Sequence, residues 1–281
     1  MKNNGKADCS IKSVEKFLHQ LNDNIDLFNP EAVKNWIANH QVSNGTKRNM
    51  VLAYSKFCEV AGIPFKKPIY KDNPRPRRIP TKQKIEKLIA SASTNLSIKL
   101  QLSYETGLRP VELCNLKVRD FDKDTRTILP STAKYGASRT LRISVSLTAR
   151  LTKWIQEHQL KLDQRIFYGD SEYYGKQFRQ HRNKLASELE DQDLRTIKLY
   201  DLRHYFATML YDKTKDILLV KQQMGHRKIG TTLIYTQLLN ITDEEYTCKT
   251  ASNVKQATEL IEAGFEHVAD KDGFMLFRKR K

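Results

Sequence analysis

The sequence predicts a mainly α fold with a small β-sheet, an α+β architecture in which a helical domain precedes a larger mixed domain. In the first sixty residues apolar side chains recur at three- and four-residue steps, the spacing of one helical face. A proline-rich segment interrupts this pattern, and beyond it helical periodicity returns together with two short strand-like runs. We therefore expect domains over residues 1–63 and 81–246, a linker over 64–80 and an extension over 247–281.

Three or four short helices are expected in the N-terminal domain. The second begins at Asn29-Pro30-Glu31, and the third begins near Ser43 or Thr46 and ends at Gly62. Asparagine caps a helix through its side-chain oxygen, proline suits the first helical position, and glycine commonly ends a helix. The apolar residues expected to face inward are Ile11, Val14, Phe17, Leu18, Leu21, Val33, Trp36, Ile37, Met50, Tyr54, Phe57 and Ala61.

The linker combines prolines, which exclude regular structure, with basic side chains. A basic, semi-extended segment can follow a phosphate backbone, and the alternative is a solvated hinge that binds nothing. These residues are Pro64, Pro68, Pro74, Pro76 and Pro80, with Lys66, Lys67, Lys71, Arg75, Arg77 and Arg78.

The second domain is expected to mix helices with one hairpin. An amphipathic helix and then an apolar helix ending at Gly107 come first, and two strands over 126–130 and 139–145 follow, joined by a turn at 135–138. Residues 146–236 are mostly helical in pattern. In the extension we expect a helix from about Val254 to Ala263 and a hairpin around Asp272-Gly273. The apolar residues of the first two helices are Ile85, Leu88 and Ile89, then Leu96 to Tyr104.

The charge balance points to a polyanionic partner. The chain has 49 Lys and Arg against 32 Asp and Glu, a net charge of +17, which favours nucleic acid over an evenly solvated basic surface. No apolar run approaches the roughly 18 residues of a membrane span, so we expect no membrane partner and a cytoplasmic location. The four cysteines form no C-x-x-C pair, and neither a Walker motif nor a clustered acidic site is present, so no metal or cofactor is expected.

Four short motifs carry the chemistry. They are Thr106-Gly107-Leu108-Arg109-Pro110, then Leu202-Arg203-His204 followed by an aromatic residue, Met224-Gly225-His226, and Tyr235 nine residues beyond His226. In order and spacing they resemble the boxes of tyrosine site-specific recombinases, which include the bacterial Xer proteins and the phage integrases. The resemblance covers about residues 80–240. The extension more weakly resembles those of archaeal virus or plasmid integrases, which suggests a mobile element.

The resemblance implies site-specific DNA recombination through a 3′-phosphotyrosine. Tyr235 would attack a DNA phosphate, and Arg109 and Arg203 would clamp its non-bridging oxygens, where negative charge grows in the transition state. Arginine suits this task because its planar fork donates two hydrogen bonds and keeps its charge. His226 would donate a further hydrogen bond. In the family a lysine on a β-hairpin is the general acid. Residues 133–139 resemble that hairpin, so Lys134 is the candidate general acid here.

Three further positions follow from the same comparison. Glu112, one turn beyond Arg109, matches an acidic family position and is expected to orient the site. Tyr200 stands where most members have histidine, and a phenol can donate a hydrogen bond to phosphate but is a poor base at neutral pH. His204 lies one residue beyond Arg203 rather than three before it, so we expect it to be structural.

The implied assembly has a helical core-binding domain and a catalytic domain that together close around double-stranded DNA. Four copies would act on two DNA sites at the nucleoid. Two alternatives stay open. One is a type IB topoisomerase-like enzyme, which uses the same chemistry to relax supercoils. The other is a DNA-binding protein that has lost catalysis, an alternative raised by Tyr200 at the usual histidine position.

Overall fold

A computed structural model describes residues 8–71, 79–131, 136–236, 246–271 and 273–280. The chain forms two compact units, Met1–Pro76 and Arg77–Lys281. The second unit carries all of the predicted catalytic positions. Within the described ranges, no helix is long and apolar enough to cross a membrane.

Among its described residues the N-terminal unit has three helices, in agreement with the expected three or four. They are α1 (Asp8–Asn22), α2 (Pro30–Asn39) and α3 (Asn44–Ala61). The predicted caps are confirmed, because the side chain of Asn29 accepts from Ala32 N and that of Ser43 accepts from Thr46 N. Gly62 ends α3 with φ +69°, a left-handed conformation that favours glycine.

The core of this unit extends into the predicted linker. Tyr54 is fully buried and donates its hydroxyl hydrogen to Leu27 O at 2.9 Å, which satisfies the phenol away from water. Phe65 and Tyr70 pack against the same core, and Asn44 donates to Lys71 O at 2.6 Å. Residues 63–71 have no helix or strand, as expected, and their side chains divide between the core, which Phe65 and Tyr70 contact, and solvent, to which Ile69 is 86% exposed.

The helices of the second unit surround its main core. They are α4 (Lys82–Ala90), α5 (Thr94–Thr106), α6 (Pro110–Cys114), α7 (Val145–Glu157), α8 (Ser171–Glu188), α9 (Asp201–Thr214) and α10 (Ile217–Met224). Short 3₁₀ turns at Val118–Asp120, Gln192–Thr196, Ile229–Thr231 and Leu233–Tyr235 connect them. The prediction that α5 ends at Gly107 is confirmed, since Gly107 has φ +60°.

The predicted strands of this unit are shorter than expected. The sheet has three antiparallel strands in the order β1 (Phe121–Asp122), β2 (Thr127–Ile128) and β3 (Leu141–Arg142). The expectation that the last strand continues to Val145 is wrong, because the Ser144 side chain accepts from Leu147 N and starts α7 there. The turn predicted at 135–138 lies partly outside the described residues.

The main core contains a lysine. Lys99 in α5 is 1% exposed, donates to Gln177 Oε1 at 3.0 Å and lies over the rings of Tyr174 and Phe167 at 5.2 and 5.8 Å. Burial lowers the pKa of Lys99, against the opposing influence of Cys114. The charged amine is therefore held in the core at a cost in stability.

We expect Lys99→Met to raise the free energy of unfolding at pH 7 by about 1 kcal/mol, because a hydrophobic residue of similar size removes the burial penalty. The folded pKa of Lys99 lies below its unfolded value near 10.4, so the unfolded state binds more protons between the two values. The advantage of the variant should therefore shrink as pH rises toward about 10. Urea denaturation at pH 7 and pH 10 measures this, with Lys153→Met as the exposed control. A variant less stable than wild type at pH 7 would contradict the penalty.

The extension forms a small sheet with its own helix. Strand β4 (Tyr246–Ala251), helix α11 (Val254–Glu262), β5 (Glu266–Lys271) and β6 (Phe274–Arg280) give an antiparallel order β4-β6-β5. The helix and the hairpin were predicted, and β4 was not. The core of the extension comprises Ala251, Ala257 and Phe277 with Leu260, Phe265 and Met275. Two apolar side chains of α11, Val254 and Ile261, lie outside this core and are exposed.

Candidate active site

Arg109 lies at the turn between α5 and α6, where helix capping orients it. Gly107 turns the chain, Arg109 is the N-cap of α6, and Pro110 takes the first helical position. Glu112 reaches back to this turn: its Oε2 accepts from Arg109 N at 3.0 Å and its Oε1 from Arg109 Nη1 at 2.8 Å. The carboxylate thus holds the backbone and the guanidinium of Arg109, which supports the orienting role predicted for Glu112.

A second arginine, Arg139, bonds the same carboxylate. Its Nη2 donates to Glu112 Oε2 at 2.7 Å, and both side chains are fully buried. Burial alone raises the pKa of Glu112, but hydrogen bonds and charge from Arg139, with a smaller contribution from Arg109, lower it to about 2. In the sequence, Arg139 is only the last residue of the segment 133–139 that resembles the family's hairpin. No local pattern links it to a carboxylate 27 residues earlier in the chain.

Arg203 joins three segments at the centre of the site. It is 1% exposed, its Nη1 donates to Gly107 O, and its Nη2 donates to Met224 O at 2.7 Å and to His226 Nε2 at 3.2 Å. Burial and the nearby charge of Arg109 lower the pKa of Arg203 to about 10, so it stays charged at neutral pH. Arg203 therefore fixes the turns that carry Arg109 and His226 around its own guanidinium.

His226 is held between Arg203 and Thr232. Because arginine can only donate, His226 Nε2 accepts from it, and Nδ1 is then the protonated nitrogen that donates to Thr232 Oγ1 at 3.0 Å. Burial, followed by the charges of Arg203, Arg109 and Arg139, lowers the pKa of His226 to about 4. To donate to a phosphate, as predicted, Nε2 must take up a proton, and the charge of the phosphate favours this.

Tyr235 lies on the last 3₁₀ turn and is 2% exposed. Its ring packs in a cluster with Ala207, Val220 and Met224, so α9 and α10 hold it. Its hydroxyl lies 3.2 Å from His204 Nδ1. His204 was expected to be structural, and the fold places it against the hydroxyl of Tyr235, a contact that its position in the sequence does not indicate.

Tyr200 lies at the N-terminal end of α9 and is 42% exposed. Its ring meets that of His204 edge to face, with centroids 5.3 Å apart. Both Tyr200 and Tyr235 contribute to the electrostatic surroundings of Arg203, which places both phenols near the guanidinium. The fold thus gathers Arg109, Arg203, His226 and Tyr235, with Glu112 and His204 supporting them and Tyr200 at the edge.

Lys134, the predicted general acid, lies outside the described residues. The segment that follows it is anchored to the site: Ala137 N donates to Gly225 O at 3.4 Å, and Arg139 bonds Glu112. Gly225 ends α10 with φ +61° immediately before His226. A Cβ there would lie 2.7 Å from Arg139 Nη1 and 3.1 Å from Ala137 O.

We expect Gly225→Ala to lower the free energy of unfolding by about 2 kcal/mol, because a left-handed conformation is strained for alanine and Arg139 cannot retreat from its buried ion pair. Chemical denaturation measures the loss. Gly230→Ala is the control, since its added Cβ meets nothing within 4 Å and the position lies five residues further along, in the 3₁₀ turn Ile229–Thr231. Equal losses for the two variants would show that neither the left-handed conformation of Gly225 nor the contact with Arg139 matters.

The fold and this set of side chains agree with the tyrosine recombinase class that the motifs indicated. A family model described as the phage integrase family matches residues 78–240, and the chain belongs to that family.

Similar proteins and similar solved structures agree with this family membership. The chain is 27% identical over 181 residues to tyrosine recombinase XerA of Pyrococcus horikoshii, covering 59% of this chain and 60% of that protein. It is 28% identical over 206 residues to XerA of Pyrococcus furiosus, covering 66% of this chain and 64% of that protein. The chain thus spans 60 to 64% of the length of these relatives. The Tn1549 transposon integrase in complex with a circular intermediate DNA has a similar fold, with a TM-score of 0.64, 17% identity and coverage of 93% and 96%.

Proposed function

We propose that this protein is a site-specific recombinase that cuts and rejoins double-stranded DNA through a covalent bond between Tyr235 and a 3′-phosphate. The observation that carries the proposal is the convergence of Arg109, His226 and Tyr235 around the buried guanidinium of Arg203. Family membership supports the same reaction.

The geometry suits phosphoryl transfer. Arg203 and Arg109 bring two permanent positive charges close together, at the cost of mutual repulsion that a phosphate would relieve. Glu112 keeps Arg109 in place, and its low pKa keeps it ionised throughout the physiological range. An anion between the two guanidiniums is therefore the ligand that this charge arrangement favours.

In the proposed reaction, Tyr235 Oη forms a bond to phosphorus and the bond to the 5′-oxygen of DNA breaks. Lys134 donates the proton that the leaving 5′-oxygen requires, and Tyr200 donates a hydrogen bond to the phosphate. The energy of the broken bond is kept in the phosphotyrosine, so a 5′-hydroxyl of a second DNA strand can attack it and reseal the backbone. This step requires no nucleotide cofactor.

The partner follows from charge and from the related structures. A net charge of +17 suits the phosphate backbone of duplex DNA, and the related transposon integrase is described in complex with DNA. We expect the N-terminal unit to act as the core-binding half of a clamp and four copies to assemble on two DNA sites. The likeness to a transposon integrase supports a mobile element as the source, with the reaction taking place at the nucleoid.

The test begins with a pool of duplexes that carry a randomised central segment. Wild-type protein is incubated with the pool, covalently attached DNA is captured in SDS, and the enriched duplex is sequenced. We then place zero, one or two copies of that duplex in supercoiled plasmids and score relaxation, adducts and recombinants.

The assay separates the alternatives. Recombinants that require two sites support the proposal. Relaxation that proceeds equally without a site indicates a topoisomerase, and binding without any adduct indicates a protein that has lost catalysis.

A further inference from the structure

The contact between His204 and Tyr235 is the feature that the mechanism above leaves unused. His204 Nδ1 lies 3.2 Å from Tyr235 Oη, and the two side chains are 5% and 2% exposed. The imidazole therefore touches the atom that must lose a proton when it attacks phosphorus. A histidine so placed is within the distance that proton transfer requires.

Helix α9 explains why this histidine reaches the nucleophile. Tyr200 and His204 are four residues apart, so they lie on one face of the helix, with Tyr200 at its exposed start and His204 one turn further in. The ring of His204 lies between the other two rings, 5.3 Å from Tyr200 and 5.8 Å from Tyr235. The imidazole that most family members carry at the position of Tyr200 is thus present here one turn further along.

The other candidate bases are less suitable. Tyr200 is a phenol, and a phenol is a poor base for a second phenol at neutral pH. His226 has both ring nitrogens engaged, Nε2 by Arg203 and Nδ1 by Thr232. Three cations in its surroundings also disfavour protonation. His204, by contrast, lies within hydrogen-bonding distance of the Tyr235 hydroxyl.

We propose that His204 is the general base that activates Tyr235, in place of the histidine that Tyr200 replaces. The inference rests on the proposed function. In the step, Nδ1 accepts the phenolic proton while the bond from Oη to phosphorus forms and the bond to the 5′-oxygen breaks, and that oxygen takes its proton from the general acid. The step consumes one proton from the general acid, releases one to His204 and needs no cofactor. In resealing, His204 returns the proton to Oη.

The experiment compares His204→Ala and His204→Asn with wild type in single-turnover cleavage of the enriched duplex, nicked so that the released 5′ fragment escapes. Asparagine keeps a hydrogen-bonding atom near the position of Nδ1 but is not basic. His181→Ala is the matched control, because His181 is a half-buried histidine of the same unit that bonds Leu88 O. Thermal unfolding and duplex binding confirm that each variant is folded.

We expect both His204 variants to cleave at least ~100-fold more slowly than wild type, the usual contribution of a general base, with His181→Ala near wild type. A second substrate has sulfur in place of the bridging 5′-oxygen. A thiolate leaves without a general acid, since thiols have a pKa near 8.5. The His204 defect should persist on this substrate, whereas the defect of Lys134→Ala should largely disappear.

Three results would overturn the assignment while leaving the proposed function intact: wild-type rates for His204→Ala, wild-type rates for His204→Asn, or rescue of the His204 defect by sulfur. Wild-type rates for His204→Asn would show that His204 only positions Tyr235, and rescue by sulfur would show that His204 acts as the general acid. If wild-type protein forms no adduct with any duplex, the proposed function fails and this inference fails with it.

Discussion

We expect Tyr235→Phe to form no covalent protein–DNA adduct and still to bind the enriched duplex. The substitution removes the oxygen that becomes bonded to phosphorus, so the reaction has no nucleophile. The phenyl ring keeps its place in the cluster with Ala207, Val220 and Met224, and Arg109 and Arg203 keep their contacts. The expected effect is complete loss of the SDS-stable band with less than about a tenfold change in duplex affinity.

Denaturing gels of the nicked duplex measure the adduct, and a gel-shift titration measures binding. Tyr211→Phe is the matched control, because Tyr211 packs against the same cluster without contributing to the site. An SDS-stable band from Tyr235→Phe would show that another residue is the nucleophile. Loss of binding along with the adduct would show instead that the hydroxyl supports the fold.

Arg203→Lys should slow single-turnover cleavage by at least about 100-fold, the usual cost of removing one preorganised donor to a transition state. A lysine keeps the charge but not the planar fork that reaches Gly107 O, Met224 O and His226 at once. The turns carrying Arg109 and His226 then lose their common support, and the phosphate loses a bidentate partner. Duplex binding should change far less than the rate.

The control is Arg150→Lys, which replaces a partly buried arginine of the same unit that bonds Gln101 and Ser97. It tests whether loss of any internal arginine fork produces the defect. If Arg203→Lys cleaves at nearly the wild-type rate, its guanidinium serves only the fold and the clamp has a different centre.

Local chemistry explains which structural predictions succeeded. Asn29, Ser43, Gly62 and Gly107 were placed correctly because capping depends on a few neighbouring residues. The strand predicted to continue to Val145 was too long, since its alternation runs on into a helix that Ser144 starts. Strand β4 was missed because its pairing partner β6 lies far along the chain.

In the candidate site, too, local features were predicted and long-range contacts were not. Motif order and spacing were enough to select Arg109, Arg203, His226 and Tyr235, and the structure brings them together. His204 was predicted to be structural because it lies one residue beyond Arg203 rather than three before it. Its contact with Tyr235 depends on where the last 3₁₀ turn packs against α9, which no spacing rule contains.

By itself, the sequence determined the residue types that the chemistry requires, the helices that carry them and the family to which they point. These properties are local, because a side chain's functional group and a helix's period do not depend on distant contacts. Only the tertiary structure decided that Arg139 shares the buried carboxylate of Glu112, that Arg203 ties three segments together and that His204 meets the nucleophile. Each of these contacts joins residues more than twenty positions apart, and the packing of helices around one core brings them within hydrogen-bonding distance.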